Sequence, residues 1–143
     1  MKKLLILIIA LIALLAGCNK GASPEDLGKV TYEWEKATLK ADYDREQELL
    51  YKKGSYEIHK DSPARSNSLK YEDMKIEVYY DKKNEWYNSL FNYTNPEKGN
   101  KVEGSYVVRE KNGELKIDIE KSRDVDPEEI RKSFKREACI HCK

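Results

Sequence analysis

Several motifs that mark common enzyme classes are missing from this sequence. It contains no glycine-rich phosphate loop, no Gly-x-Ser-x-Gly turn around a serine nucleophile and no His-Glu-x-x-His zinc-protease helix. Histidine is scarce, with only His59 and His141, so few imidazole ligands exist for a metal site. These absences argue against the enzyme classes that carry those motifs.

The chain also lacks an excess of charge of either sign. It has 27 Lys and Arg residues against 26 Asp and Glu residues, for a formal net charge of +1. Domains that bind nucleic acid or an anionic membrane surface usually present a broad basic surface. We therefore predict no nucleic-acid partner and no electrostatic docking of the folded part on a membrane.

The one long apolar run is too short for a permanent membrane span. Residues 4–16 contain only Leu, Ile and Ala, and as a helix they would rise about 20 Å, whereas the bilayer core needs roughly 30 Å. Lys2 and Lys3 precede this run, and small residues follow it. A basic start, an apolar middle and small residues at a cleavage point are typical of a secretory signal peptide.

The end of this run, Leu15-Ala16-Gly17-Cys18, resembles the lipobox of bacterial lipoproteins. The resemblance implies that residues 1–17 are removed and that the thiol of Cys18 carries diacylglycerol, with or without a further N-acyl group. Two acyl chains anchor a protein stably, which places the chain on the extracytoplasmic face of the cell membrane. The alternative is an ordinary signal peptide with a coincidental cysteine. No other cofactor is predicted.

The exported part has the length of one compact domain. Residues 18–23 are the lipidated cysteine and a short polar tether, 24–125 an α+β domain, and 126–143 a C-terminal helix and a Cys-Ile-His-Cys tail. Aromatic residues make up 10% of the sequence, which is too many for a disordered tether.

Helical signals come first along the domain. Ser23-Pro24-Glu25-Asp26 has the chemistry of a helix start, and apolar residues then recur at three- and four-residue spacing. Asp42-Tyr43-Asp44 interrupts this stripe, residues 45–52 predict a second, shorter helix, and 59–68 predict a loop. The stripe consists of Leu27, Val30, Trp34, Ala37 or Thr38, and Ala41.

Strand signals follow. Residues 74–80 alternate between apolar and polar, 86–94 and 102–110 are β-rich, and Asn112-Gly113 predicts a tight turn before a last strand over 115–121. Asp126-Pro127-Glu128-Glu129 then predicts a short C-terminal helix running to near Cys139. Helices followed by about four antiparallel strands indicate the α+β class.

Within this class, residues 24–120 resemble the nuclear-transport-factor-like (cystatin-like) superfamily, in which a long helix lies against a curved sheet. The resemblance depends on Ser23-Pro24-Glu25-Asp26, on Tyr32 and Trp34, and on Lys40-Ala41-Asp42-Tyr43-Asp44. It implies a pocket between helix and sheet. We expect Trp34, Tyr80, Trp86 and Tyr106 to line that pocket. Another small helix-on-sheet domain is the alternative fold.

The superfamily includes enzymes with acidic, His or Tyr side chains in this pocket, and also binding domains without chemistry. The strand residues expected to face inward are all apolar. Asp118 is expected to face water, on the solvent-exposed side of the last strand. We therefore predict no catalytic residue. Carboxylates and lysines over 116–129 are expected to be solvated. The inward residues are Met74, Ile76, Val78, Leu115, Ile117 and Ile119.

Cys139-Ile140-His141-Cys142 at the carboxy end has four interpretations. The two thiols can be a redox pair, part of a soft-metal site completed by His59 or by a second molecule, a local disulfide, or a pair without a role. A redox pair usually needs a helix start after the first cysteine. Haem attachment is excluded because Lys143, not His, follows the second cysteine.

Three functions remain open. The first is a non-enzymatic binding or accessory domain displayed on the membrane, with a protein or a small molecule as partner. The second is a metal-binding or thiol-redox lipoprotein that uses Cys139, His141 and Cys142. The third is an enzyme that uses the helix–sheet pocket. Tyrosines on the strands could also line a sugar- or peptide-binding face, although ordinary sheet packing explains them as well.

Overall fold

The computed structural model describes residues 21–143; the predicted signal peptide and Cys18 lie outside the described residues. The described chain is α+β, with four α-helices and a five-stranded antiparallel sheet. No helix within residues 21–143 is both long and apolar enough to cross a membrane. The helices are α1 (Pro24–Lys40), α2 (Tyr43–Leu49), α3 (Ile119–Ser122) and α4 (Pro127–Ser133).

Helix α1 begins where the cap chemistry predicts. The side chain of Ser23 accepts a hydrogen bond from the backbone N–H of Asp26 at 3.1 Å, which satisfies a donor that has no partner inside the helix. The helix ends at Ala41, whose φ of 53° is left-handed. Asp42 then caps α2 by accepting from the N–H of Arg45 at 3.2 Å. The second helix therefore starts and ends slightly earlier than the predicted 45–52.

The sheet has the strand order β4-β3-β2-β1-β5, with every neighbouring pair antiparallel. The predicted hairpin is present: β3 and β4 are joined at Asn112 and Gly113, which both have positive φ. The strands are β1 (Lys75–Asp81), β2 (Trp86–Thr94), β3 (Lys101–Lys111), β4 (Glu114–Asp118) and β5 (Arg136–Ile140).

The carboxy end differs from the prediction. Helix α4 ends at Ser133 instead of near Cys139, and the chain continues as β5, a fifth strand paired with β1. Ile140 lies opposite Ile76 in this pairing. The local sequence carries no strand alternation strong enough to reveal β5, because the strand depends on hydrogen bonds that the free edge of β1 offers.

The sheet packs on both faces. Helix α1 covers the first face, where Trp34, Leu27, Ile76 and Ile117 belong to the main core. The second face carries a smaller cluster of Tyr79, Leu90 and Ile130, against which Val125 and Phe134 pack.

Two predictions about the last strand are wrong. The strand ends at Asp118, and Ile119 begins α3 instead of continuing the alternation. Asp118 is only 6% exposed: it accepts from Arg109 at 2.9 Å and caps α3 through the N–H of Lys121 at 3.1 Å. The strand pattern could not show that α3 would fold back and make Asp118 its cap.

Candidate functional site

Helix α1 carries an acid into the space between helix and sheet. Glu35 is 6% exposed, and its carboxyl accepts a hydrogen bond from the hydroxyl of Tyr93 at 2.7 Å. The hydroxyl of Tyr106 donates to the other carboxyl oxygen. The ring of Trp34, 1% exposed, lies edge-on to Tyr106 with centroids 6.2 Å apart. The interior that the resemblance predicted as a pocket is therefore filled by aromatic side chains.

Burial dominates the electrostatics of this group. It raises the pKa of Glu35, and the hydrogen bonds from Tyr106 and Tyr93 oppose that rise without cancelling it. Burial, followed by the nearby Glu35 carboxyl, also raises the pKa of Tyr93 and of Tyr106. A charge in this interior lacks the solvation that water would provide, so the neutral forms are favoured.

A second acid is buried nearby, on α2. Glu46 has no solvent exposure, and its Oε1 lies 2.5 Å from Nδ1 of His59. Its Oε2 has no hydrogen-bond partner within residues 21–143. Burial raises the pKa of Glu46, while the hydrogen bond and the charge of His59 lower it.

Tyr56 connects the two acids. Its ring lies 5.3 Å from that of Trp34 and 5.9 Å from that of His59. Burial raises the pKa of Tyr56, and the charges of Glu46 and Glu35 raise it further. Buried acids with perturbed pKa values are common at active sites, but these are surrounded by side chains of the protein itself.

The four predicted pocket residues do not share one pocket. Trp34 and Tyr106 lie in the filled interior, whereas Tyr80 packs against Tyr87, with ring centroids 4.8 Å apart. Tyr80 and Tyr87 line a small cleft of about 240 Å³ beside Pro24. Trp86 directly precedes Tyr87 on β2. Because successive strand residues point to opposite faces of the sheet, Trp86 lies on the other face from Tyr87.

Trp86 lines a pocket of about 330 Å³ between the second face and the segment that contains α3 and α4; we call it the second-face pocket. Asn88 is 1% exposed and lines this pocket, and its Nδ2 has no hydrogen-bond partner within residues 21–143. The apolar walls include Trp86, Ile130 and Phe134, and the charged walls include Asp81, Lys121, Asp124, Asp126 and Glu129.

A larger and shallower groove of about 720 Å³ lies at the start of α1. Gly21 and Ala22 form part of its wall, and charges of both signs surround it, including Lys29, Glu33 and Arg45. Because those charges are mixed and partly paired, with Arg45 3.6 Å from Glu33, the groove has no clear preference for a charged ligand.

The C-terminal cysteines form a disulfide, with Cα atoms 5.6 Å apart. Cys139 belongs to strand β5, so it is not followed by the helix start that a redox-active pair usually has. His141 places Nδ1 3.0 Å from the carbonyl oxygen of Met74, whereas His59 binds Glu46. Within the described part of the chain, no three His, Cys, Asp or Glu side chains are grouped to hold a metal ion.

Sequence reasoning missed Glu35, Glu46 and Asn88. Glu35 lies four residues after Thr31, so the two polar side chains share one face of α1, but only the structure shows that this face is buried. Asn88 lies in a strand with large side chains on both faces, where alternation does not separate inside from outside.

No protein-family model, no curated protein and no solved structure matches this chain. The function is therefore inferred from the geometry of the two faces.

Proposed function

We propose that this chain is a bacterial lipoprotein, anchored through Cys18 on the extracytoplasmic face of the cell membrane, whose domain binds a small ligand without catalysing a reaction. The binding site in this proposal is the second-face pocket. The observation that carries it is the pocket itself, about 330 Å³ in volume and lined by apolar side chains and by Asn88, a deeply buried amide whose Nδ2 has no partner within residues 21–143. Buried donors normally have a partner, and a rotation of this amide on binding would let a ligand supply one.

The lipid anchor is supported by the match of residues 15–18 to the lipobox, and it would hold the start of α1 near the membrane. This helix begins at Pro24, and the six residues after Cys18 reach at most about 20 Å when extended. The groove at the start of α1 would then lie close to the membrane. The second-face pocket belongs to the other face of the sheet.

Binding is favoured over catalysis because the interior acids are enclosed by other side chains of the chain. A general acid or base must come within hydrogen-bond reach of its substrate. Both oxygens of Glu35 accept from tyrosines, and Glu46 is fully buried behind His59. A substrate would have to displace Trp34, which is packed in the core.

The proposal extends to the fold, which we assign to the cystatin-like superfamily. A long first helix on one face of an antiparallel sheet supports this assignment. In this assignment α3, α4 and β5 are additions at the carboxy end that cover part of the second face.

The anchor is tested by expressing the full chain in a bacterium that is fed an alkyne-labelled fatty acid. We expect label on the wild-type chain and none on the Cys18→Ser variant, which should also lose its membrane association. Cys142→Ser is the matched control and should keep the label. An exported and cleaved chain without label would contradict the lipoprotein proposal.

The closed interior is tested by acrylamide quenching of the two tryptophans, studied separately in Trp34→Phe and Trp86→Phe. We expect Trp86 to be quenched several-fold more readily than Trp34, because Trp86 lines an open pocket and Trp34 is buried. Equal quenching would mean that the interior opens to solvent, and the enzyme hypothesis would then replace the binding hypothesis.

A further inference from the structure

We propose that the disulfide between Cys139 and Cys142 is a reversible redox site that works as a clasp. In the oxidised state it holds the end of β5 on the edge of the sheet, and a dithiol reductant that opens it releases that end. The clasp consists of residues 139–143. The inference goes beyond the proposed binding function and depends neither on the lipid anchor nor on the second-face pocket.

The two cysteines differ in their access to solvent. Cys139 is partly buried on β5, whereas Cys142 is exposed, as are the residues on either side of it. A thiolate in solution can therefore reach Sγ of Cys142 while the sheet stays closed. Exposed disulfides are generally reduced readily, whereas the structural disulfides of secreted proteins resist reduction.

The bridge is too local to serve as a staple for the whole domain. Its cysteines are only three positions apart, and the stabilisation that a disulfide provides grows with the length of the loop it closes. It joins the end of β5 to the residues that directly follow this strand, and not to another strand or helix. Its effect is therefore to fix the shape of the chain end.

The shape that the bridge fixes is unfavourable for a histidine. His141 lies between the two cysteines and has a φ of 52°. L-residues other than Gly, Asn and Asp seldom adopt this left-handed conformation, because their Cβ comes too close to the backbone. The closed ring keeps His141 in this conformation, and the residue is free to leave it once the S–S bond is cut.

The left-handed turn directs the imidazole of His141 back onto the domain. Its Nδ1 lies 3.0 Å from the carbonyl oxygen of Met74, and its ring lies edge-on to that of Tyr71 with centroids 4.7 Å apart. Met74 directly precedes β1, the strand with which β5 pairs. The imidazole thus links the chain end to the start of β1, and the link depends on the disulfide.

The same junction reaches helix α1. The hydroxyl of Tyr71 and the side chain of Ile140 both lie against Gly28 and leave no room for a Cβ at that position. Ile140 also lies opposite Ile76 in the pairing of β1 with β5 and packs against the main core. Opening the clasp therefore loosens the contact of β5 with Tyr71 and α1 and uncovers part of the edge of β1, while the central strands keep their partners.

The opening reaction is a thiol–disulfide exchange. One thiolate of the dithiol attacks Sγ of Cys142, the S–S bond breaks, and Sγ of Cys139 leaves as a thiolate and takes up a proton. The second thiolate of the reductant then attacks the mixed disulfide, which releases Cys142 as a thiol and the reductant as its own disulfide. The reductant supplies both electrons and both protons. Because no helix start follows Cys139, the bridge is a substrate of this exchange and not an oxidant of other proteins.

The rate of reduction tests the access of the bridge. The full chain, purified in a non-ionic detergent, is treated with dithiothreitol, and alkylation of Cys139 and Cys142 is followed by mass spectrometry of the C-terminal peptide. We expect the folded chain to be reduced within about fivefold of the rate for the same chain unfolded in urea. Any stronger protection by the fold would overturn the proposal.

Proton NMR signals of the histidines report on the clasp itself. The chain has only two histidines, and the ring current of Tyr71 shifts the signals of the neighbouring His141 ring. On reduction, we expect the His141 signals to move to the positions of a histidine in an unfolded peptide. The signals of His59, which binds the buried Glu46, should stay in place. Unmoved His141 signals would refute the clasp, and movement of both histidines would show that the bridge supports the whole domain instead.

His141→Ala and Lys143→Ala are the matched pair of variants. His141→Ala removes contacts that exist only in the closed clasp, so the ratio of reduced to oxidised chain in a fixed dithiothreitol buffer should rise about threefold or more. Lys143→Ala changes an exposed side chain on the other side of Cys142 and should leave this ratio within about 1.5-fold of the wild-type value. Equal effects of the two variants would show that the contacts of His141 are not coupled to the disulfide, and the proposal would be overturned.

Discussion

Glu35 and Asn88, one on each side of the sheet, are buried in opposite ways. On the first face, Glu35 lies among tyrosines that donate to both of its oxygens, and Trp34 closes the space above it. On the second face, Asn88 is as deeply buried but lines a pocket that remains open. The chain itself therefore completes the hydrogen bonds of Glu35 but not those of Asn88.

The largest expected effect is on the packing of the first face. Trp34→Ala should lower the free energy of unfolding by about 3 to 5 kcal/mol, because it removes a fully buried indole and leaves a cavity. Trp86→Ala, on the second face, should cost only about 1 kcal/mol, because Trp86 is half-buried. Urea unfolding of the two variants measures the difference. Similar losses would contradict the contrast between the faces.

The next effect concerns the buried pair of Glu46 and His59. His59→Ala should lower the free energy of unfolding by about 3 kcal/mol near neutral pH, because it leaves a buried carboxyl without its partner. The control His141→Ala should cost less than about 1 kcal/mol, because that side chain is exposed. Thermal unfolding of both variants is the measurement, and equal losses would show that His59 does not stabilise Glu46.

The dependence of stability on pH tests the raised pKa of Glu35. Because its pKa in the folded chain is raised above 4.5, the folded state holds this proton more tightly than the unfolded state. The resulting stabilisation is complete below the unfolded pKa and is lost as the pH rises through the raised pKa, at up to about 1.4 kcal/mol per pH unit.

Glu35→Gln should remove this contribution, so the variant's stability should fall less than that of the wild-type chain as the pH rises from 4.5. Glu33→Gln, on the same helix, should retain the wild-type slope. Urea titrations at a series of pH values measure it, and parallel curves for Glu35→Gln and the wild-type chain would refute the assignment.

A smaller effect is expected at β5, the edge strand whose Ala138 and Ile140 pack against the main core. The Cys139–Cys142 bridge closes a very short loop, so its removal in the Cys139→Ser, Cys142→Ser double variant should cost at most about 2 kcal/mol. Hydrogen exchange should become faster in β5 and remain unchanged in β2 at the centre of the sheet. Faster exchange throughout the sheet would show that the bridge stabilises the whole domain.

The smallest effect is expected from Asn88→Leu. Its unpartnered donor contributes little to the fold, so the free energy of unfolding should change by less than about 1 kcal/mol, in the stabilising direction. Chemical unfolding measures this change. A large loss of stability would place Asn88 with Glu35, among the polar groups that the chain itself completes.

Much of the fold could be predicted from local patterns. The capping residue Ser23, the interruption at Asp42 and the turn at Asn112 and Gly113 all act through hydrogen bonds or backbone angles within a few residues. Strand β5 could not be predicted from local patterns, because its partner β1 lies far away in the sequence.

The site was harder to predict. Trp34 and Tyr106 were expected in one pocket and do lie together, but they fill it. Trp86 was assigned to the same pocket and belongs to the other face. The hydrogen bonds that complete Glu35 join residues 58 and 71 positions apart, so no local pattern contains them.

The sequence by itself determined where the helices start, where the tight hairpin turns and which residues form the main core, because capping, backbone angles and hydrophobic periodicity act over short distances. Only the tertiary structure decided which polar groups are completed by the chain and which line a pocket. That distinction depends on how α3 and α4 fold back over the second face and how the tyrosines of distant strands meet α1, and it exists only once the chain is packed.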